Sequence, residues 1–172
     1  MVEVLVARLG LDSATNSYVV ILRERGGRRQ LPIWIGRPEA ESIVLELNQV
    51  KRERPLTHDL CKTLITGLGG VLRRVSITHV QQNTYFAVMQ VESPHGLVEI
   101  DARPSDSIAI ALRMTAPIFV QEDLLHDFDD DDEDQDSPTL SPPAGDGHAL
   151  SPEQLKAHLE HLRPEDFGKF KP

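Results

Sequence analysis

The sequence predicts an α+β domain of duplicated βββα units with a connecting helix between them, and with its strands in mixed or antiparallel sheets. Runs rich in Val, Ile and Leu come in groups of three, and a segment with helical spacing follows each group. The first such helix opens with RPEAESI at residues 37–43, and a later one opens with RPSDSI at residues 103–108. A repeated unit of this kind indicates a duplicated architecture.

Strands of the first unit are predicted over residues 2–9, 17–25 and 29–35, because turn-forming residues separate these apolar runs. Pro32 cannot donate a hydrogen bond to a neighbouring strand, which indicates an edge strand or an irregularity. Pro38 then opens a helix at its first position. Helical spacing predicts one buried face for that helix, made of Ala40, Ile43, Val44, Leu47 and Val50.

The connecting helix is predicted to begin after Pro55, with Thr57 as its N-cap and Asp59 in its first turn. Its apolar stripe is Leu60, Cys61, Leu64, Ile65 and Leu68.

Strands of the second unit are predicted over residues 71–81, 84–92 and 96–101. A helix is predicted from Pro104 to about residue 114, and a short apolar run follows at 118–120. The third helix is apolar on nearly all sides, so we expect it to be buried.

The charge of the 172-residue chain is unevenly distributed. The formal net charge is −9, yet residues 122–136 contain ten acidic residues and no Lys or Arg, and residues 1–121 contain 12 acidic and 14 basic residues. A block of like charges usually stays solvated. The alternative is that this acidic run competes with a polyanion for the basic body.

The domain organisation follows from composition. Residues 1–125 form the predicted domain, and residues 126–150 are rich in Asp, Ser, Pro and Gly, which predicts a disordered acidic linker. Residues 151–172 begin with a capping-box pattern and carry three leucines on one face, which predicts a short C-terminal helix. A helix of this length is only marginally stable in isolation, so we expect it to dock on the body, a second subunit or a partner.

Several classes of protein are excluded by composition. No run approaches eighteen apolar residues, and no signal peptide is recognisable at the start of the chain, so neither membrane insertion nor secretion is expected. Cys61 is the single cysteine, which excludes a disulfide framework and a cysteine-based zinc site. We therefore expect a cytoplasmic protein.

Clusters of basic residues could contact phosphates, since nucleic-acid binding is largely electrostatic. The alternative is that charged turns and strand ends serve solubility alone. The residues proposed for nucleic-acid binding are Arg28, Arg29, Arg52, Arg73 and Arg74.

Two acidic residues flank the start of the third helix. Asp101 ends a strand whose alternation places Val98 and Ile100 on the opposite face, and Asp106 lies in the first helical turn. One interpretation is capping and ion pairing with nearby arginines. The other is that the two carboxylates converge on a divalent cation, since such ions prefer oxygen ligands.

Similar positions at the other helix starts carry His58 and Glu39. The helix dipole favours a neutral histidine there, which suits a general base or a metal ligand. The alternative is an ordinary hydrogen-bonding residue at a helix start.

These residues resemble motifs of the bifunctional nuclease domain family. The matching stretches are LPIWIG at residues 31–36, PLTHDL at 55–60, and DARPSDSIA at 101–109, followed by Arg113 and PIFV at 117–120. The resemblance covers about residues 1–125 and implies an α+β domain. For the plant members that gave the family its name, it implies nuclease activity on both DNA and RNA. The family's motif positions correspond here to Glu39, Thr57, His58, Asp59, Asp101, Arg103, Ser105, Asp106 and Arg113.

Together, these observations lead to the hypothesis of a metal-dependent phosphodiesterase that acts on RNA and DNA with little sequence preference. Asp101 and Asp106 are expected to hold Mg²⁺ or Mn²⁺, with Glu39 or Asp59 as a further ligand. His58 is expected to activate or position water.

In the same hypothesis, Arg103 and Arg113 are expected to stabilise negative charge on the phosphate.

The alternative hypothesis is a non-catalytic domain that forms homo-oligomers or binds a regulatory partner. In that case the same polar groups fix corners of the fold.

Overall fold

The computed structural model describes residues 1–12 and 16–127. The first half contains β1 (Val2–Asp12), β2 (Ser17–Glu24), β3 (Gln30–Ile35), α1 (Arg37–Leu47) and α2 (Thr57–Gly67). The second half contains β4 (Val71–Gln81), β5 (Thr84–Ser93), β6 (Gly96–Ala102), α3 (Pro104–Met114), β7 (Ile118–Val120) and a 3-10 turn at Glu122–Leu124. Apart from residues 126 and 127, the predicted acidic linker and C-terminal helix lie outside the described residues.

The seven strands found within residues 1–12 and 16–127 form one sheet in the order β3-β2-β1-β7-β4-β5-β6. Neighbouring strands are antiparallel except β4 and β7, which are parallel. The predicted α+β class and mixed sheet are therefore confirmed, and Pro32 lies in an edge strand of the sheet as expected. Three strands followed by a helix occur on each side of β7, but a duplication of the sequence itself stays a prediction.

The hydrophobic core lies between one face of the sheet and the helices. Alternate strand residues supply the sheet side, including the fully buried Leu22 and Ile77. Contacts join α1 to β2, α2 to β4, and α3 to both β4 and β5. The middle of α3 is buried from Ile108 to Ala111, which confirms the prediction of a buried third helix. This packing brings the N-terminal ends of the helices to one region.

The start of α2 differs from the prediction. Thr57 is the first helical residue, and Leu56 occupies the N-cap position. The carboxylate of Asp59 accepts a hydrogen bond from the Leu56 backbone N–H at 2.8 Å. A carboxylate at the third helical position can thus satisfy the backbone at the helix start without a hydroxyl at the N-cap.

The predicted apolar stripe of α2 is divided between core and surface. Cys61 and Ile65 pack against the core, whereas Leu60, Leu64 and Leu68 are exposed. α2 packs against α3 and β4 from one side, so a stripe this wide cannot be covered completely. Among the described residues, no helix is long and apolar enough to cross a membrane.

Candidate active site at the starts of three helices

Three helices each carry one acidic residue in the first turn. These residues are Glu39 in α1, Asp59 in α2 and Asp106 in α3. Proline near the start of α1 and α3 suits a helix start, because its fixed φ angle and missing N–H cost nothing there. A negative charge in the first turn is favoured by the helix dipole. The sequence thus determines where these carboxylates lie.

Arg103 joins the carboxylates of α1 and α3. Its Nη2 donates to Glu39 Oε1 at 2.6 Å, and its Nε donates to Asp106 Oδ2 at 2.8 Å. A further bond runs from Nη2 to Asp106 Oδ1 at 3.2 Å. The Arg103 side chain remains 67% exposed, so this guanidinium can meet a ligand from solvent.

His58 lies behind Asp106, away from solvent. The residue is 8% exposed, and its Nε2 lies 3.0 Å from Asp106 Oδ1 while its Nδ1 lies 2.8 Å from Ser42 Oγ. An ionised carboxylate only accepts, so Nε2 carries a hydrogen, and Nδ1 of a neutral ring then accepts from the Ser42 hydroxyl. Because both ring nitrogens are occupied, His58 is placed to hold Asp106 rather than to contact water.

Ser42 is the residue of this cluster that the sequence analysis missed. It is buried in α1, and its hydroxyl is the inner end of the row Ser42–His58–Asp106. The spacing of Ser42 could have indicated its membership of the cluster. Ser42 is three residues after Glu39, and residues three apart on a helix share a face. A buried polar side chain needs a hydrogen-bond partner, and here the partner is His58.

A second ion pair lies beside this row. Arg113 Nε donates to Asp59 Oδ1 at 2.6 Å, Nη1 donates to the Ala109 carbonyl at 2.9 Å, and Nη2 donates to the Ser42 carbonyl at 3.2 Å. The Arg113 side chain is only 3% exposed. This burial corrects the expectation that Arg113 contacts a phosphate, because its donors point to groups of the protein and connect α3 to α1 and α2.

These contacts determine the ionisation of the cluster. Burial raises the pKa of Asp106, but hydrogen bonds from Arg103 and His58 outweigh it, so the pKa lies below its ordinary value. Burial also raises the pKa of Asp59, and the bonds from Arg113 and the Leu56 backbone lower it by more. Hydrogen bonds to Asp106 and to Glu39 raise the pKa of Arg103. Both aspartates are therefore ionised at neutral pH.

Asp101 does not join this cluster. It pairs across the sheet with Val88, whose neighbours Ala87 and Met89 point into the core. Residues directly opposite in an antiparallel pair share a face, so Asp101 lies on the sheet face away from the helices. The expected convergence of Asp101 with Asp106 is thus not found.

Mg²⁺ and Mn²⁺ need several oxygen ligands that are free to converge on the ion. Glu39 and Asp106 are both bonded to Nη2 of Arg103, so a guanidinium lies where the two carboxylates converge. Within residues 1–12 and 16–127, no group of three or more His, Cys, Asp and Glu side chains is placed to hold a metal ion. In this arrangement the residues do not fit a divalent cation, because Arg103 already balances their charge.

The arginines predicted to bind nucleic acid are distributed over three elements. Arg28 and Arg29 lie in or beside the β2–β3 turn, where Arg28 is exposed and Arg29 is paired with Glu24 and Glu122. Arg73 and Arg74 lie in β4, paired with Glu92 and bonded to Gln90 respectively, and Arg74 also lies over the Phe119 ring. Arg52 lies in the connection between α1 and α2 and lines a pocket there.

Comparison with known proteins agrees with the resemblance noted in the sequence. Residues 20–131 match the family described as "Bifunctional nuclease domain". An "Uncharacterized protein" of Mycobacterium tuberculosis is 38% identical over 173 residues, which cover 97% of this chain and 98% of that protein.

Plant nucleases match over a shorter region. Bifunctional nuclease 2 of Arabidopsis thaliana is 31% identical over 116 residues, which are 66% of this chain and 35% of the plant protein. Bifunctional nuclease 1 of Oryza sativa subsp. indica is 25% identical over 118 residues, which are 67% of this chain and 36% of the plant protein. The family match covers more than half of the chain and includes all the residues of the helix-start cluster. The chain therefore belongs to the bifunctional nuclease domain family.

Proposed function

We propose that this domain hydrolyses phosphodiester bonds of RNA and DNA with low sequence specificity. The observation that carries the proposal is the exposed guanidinium of Arg103, held between Glu39 and Asp106 at the helix starts. A cation beside the ionised carboxylate of Asp106 can bind a phosphate and position water in one place. Membership of the family, with plant relatives named bifunctional nucleases, supports the same chemistry.

Each residue has a distinct role in the proposed reaction. Arg103 turns towards a phosphate oxygen and stabilises the charge that develops there. The carboxylate of Asp106 then accepts a hydrogen bond from water and takes its proton as the oxygen attacks phosphorus. One P–O ester bond breaks, and the leaving oxygen takes a proton from solvent. His58 and Ser42 hold the orientation of Asp106, and they are therefore positioning residues.

No step of this proposal uses a metal, since the donor set does not fit one as it stands. Mg²⁺ or Mn²⁺ remains a hypothesis for a state in which Arg103 has left the two carboxylates. Cleavage assays with EDTA and with added Mn²⁺ test it separately from the residue roles.

The experiment uses the purified full chain with end-labelled single-stranded RNA and DNA. The wild type is expected to cleave both the RNA and the DNA substrate. The variant Arg103→Gln is expected to lower kcat/KM by about 10²-fold. Arg25→Gln is the matched control, because Arg25 is also an exposed, ion-paired arginine but pairs with Glu3 away from the cluster. Absence of cleavage by the folded wild type, or equal losses in the two variants, would contradict the proposal.

A second candidate function is self-association without catalysis, and one feature of α2 favours it. Leu56, Leu60, Leu64 and Leu68 follow each other at intervals of four and are 39%, 51%, 54% and 78% exposed. Rows at this interval form ridges that fit into the grooves of an identical helix. A surface that complements itself suits a twofold contact, so the expected occupant is a second copy of this chain.

This second candidate predicts a dimer or larger oligomer that depends on the leucine row. Leu64→Glu is expected to give a folded monomer in light scattering after size exclusion, because a charge cannot be buried unpaired in the contact. Leu5→Glu is the control, since Leu5 is also 54% exposed but lies on β1. A monomeric wild type, or an oligomer unaffected by Leu64→Glu, would exclude this interface.

A further inference from the structure

A pocket lies between the end of α1, the connection to α2, and the first turn of α2. Its volume is about 410 Å³, which is within the usual range for ligand cavities. Four basic residues line it, namely Lys51, Arg52, Arg54 and Arg113. Pro55 and Leu56 add an apolar wall. None of the roles proposed above explains why this pocket exists.

The charges that line the pocket favour an anion. Asp59 and Arg113 both line it, but they are paired with each other at 2.6 Å and so compensate each other. The remaining charged residues of the lining are the other three basic ones and two acidic ones, Glu46 and Glu53. The N-terminal turn of α2 also lies in the wall, and the helix dipole adds partial positive charge at that end. The balance is cationic even though the whole chain is acidic.

The pocket is connected to the proposed active site through shared residues. Asp59 of its wall directly follows His58, which holds Asp106. Arg113 of its wall bonds the carbonyl of Ser42, whose hydroxyl contacts the same histidine. Asp59 and Arg113 thus connect the pocket to the row Ser42–His58–Asp106, although no residue of that row lines the pocket itself. A nucleic-acid strand bound at Arg103 extends to both sides of the reacting phosphate, so a second binding site of this kind can hold the strand.

We propose that this pocket binds a phosphate group of the same single-stranded nucleic acid whose phosphodiester bond is held by Arg103. The inference rests on the proposed nuclease function and adds a substrate-binding site to it. Lys51 and Arg54 contact the phosphate oxygens, and the wall formed by Pro55 and Leu56 contacts the attached nucleoside. Contacts of this type depend on backbone charge and carry little sequence preference.

The test compares two double variants with the same change in net charge. Lys51→Gln with Arg54→Gln removes two cations of the pocket, whereas Arg25→Gln with Lys62→Gln removes two exposed cations elsewhere. The probe is a labelled single strand of about 12 nucleotides, and its anisotropy is followed between about 50 and 200 mM NaCl. Cleavage kinetics are measured on the same proteins.

The pocket variant is expected to weaken strand binding about tenfold and to reduce the slope of log K against log salt by about 0.7 to 1.4. Its KM is expected to rise while kcat stays within about twofold, because a uniform binding contact is lost. The control variant is expected to change binding by less than about twofold. Equal losses in both double variants, an unchanged slope, or a wild type that does not bind the strand would overturn the inference. Pocket-dependent binding without cleavage would refute the proposed hydrolysis alone, whereas cleavage that does not depend on the pocket would refute this inference alone.

Discussion

Replacing Arg113 with methionine is expected to lower the free energy of unfolding by about 3 kcal/mol. Methionine retains much of the apolar side-chain volume but removes the donors to Asp59, to Ala109 and to Ser42. Removing one partner of a buried ion pair leaves the other charge uncompensated, which typically costs about 3 to 5 kcal/mol. The lower end of the range applies because the Asp59 side chain is 33% exposed and solvent can partly replace the guanidinium.

Urea denaturation followed by far-UV circular dichroism measures this loss. Arg25→Met is the control, since a surface ion pair such as Arg25–Glu3 contributes little to stability. Combining Arg113→Met with Asp59→Asn is expected to cost less than the two single changes added together, because the double variant buries no unpaired carboxylate. A loss of under about 1 kcal/mol for Arg113→Met would show that this arginine does not hold the helix starts together.

The regular elements could be predicted because each depends on a local pattern. Alternation of apolar residues defined the strands, and Pro38 and Pro104 indicated the helix starts within one residue of the structure. Pro32 indicated an edge strand, and β3 is one. The sequence does not predict whether the leucines of α2 are buried or exposed. A periodic apolar face can be covered either by the same chain or by another one.

Four residues of the candidate site are predicted from the sequence, whereas Ser42 and the contacts between the residues are not. The motifs point to Glu39, His58, Arg103 and Asp106, and the structure joins these four residues by hydrogen bonds. Which carboxylate pairs with which arginine depends on how the helices pack, and a single sequence does not contain that information.

The position of Asp101 could have been predicted from the alternation of residues in its strand alone. The alternation that places Val98 and Ile100 on one face of β6 also places Asp101 on the other face, which is the sheet face away from Asp106. Because Asp101 and Asp106 are close in sequence, we expected their carboxylates to converge. The two-residue repeat of a strand instead places Asp101 on the other face of the sheet. The structure follows the strand period.

Replacing Asp106 with asparagine is expected to lower kcat/KM for single-stranded cleavage by about 10²-fold or more. The amide retains the size of the side chain but cannot take a proton from water, and it no longer balances the charge of Arg103. Asp101→Asn makes the same chemical change on the opposite face of the sheet, so it is the matched control. Thermal melting of both variants checks that each is folded.

The central claim is that Arg103, held by Glu39, and Asp106 hydrolyse the phosphodiester bond. The most direct measurement compares initial cleavage rates of one labelled strand by the wild type, Asp106→Asn and Asp101→Asn under identical conditions. The predicted result is loss of cleavage in Asp106→Asn, with Asp101→Asn within about twofold of the wild type, as expected for a surface change away from the site. Cleavage by a folded Asp106→Asn protein at the wild-type rate would contradict the claim.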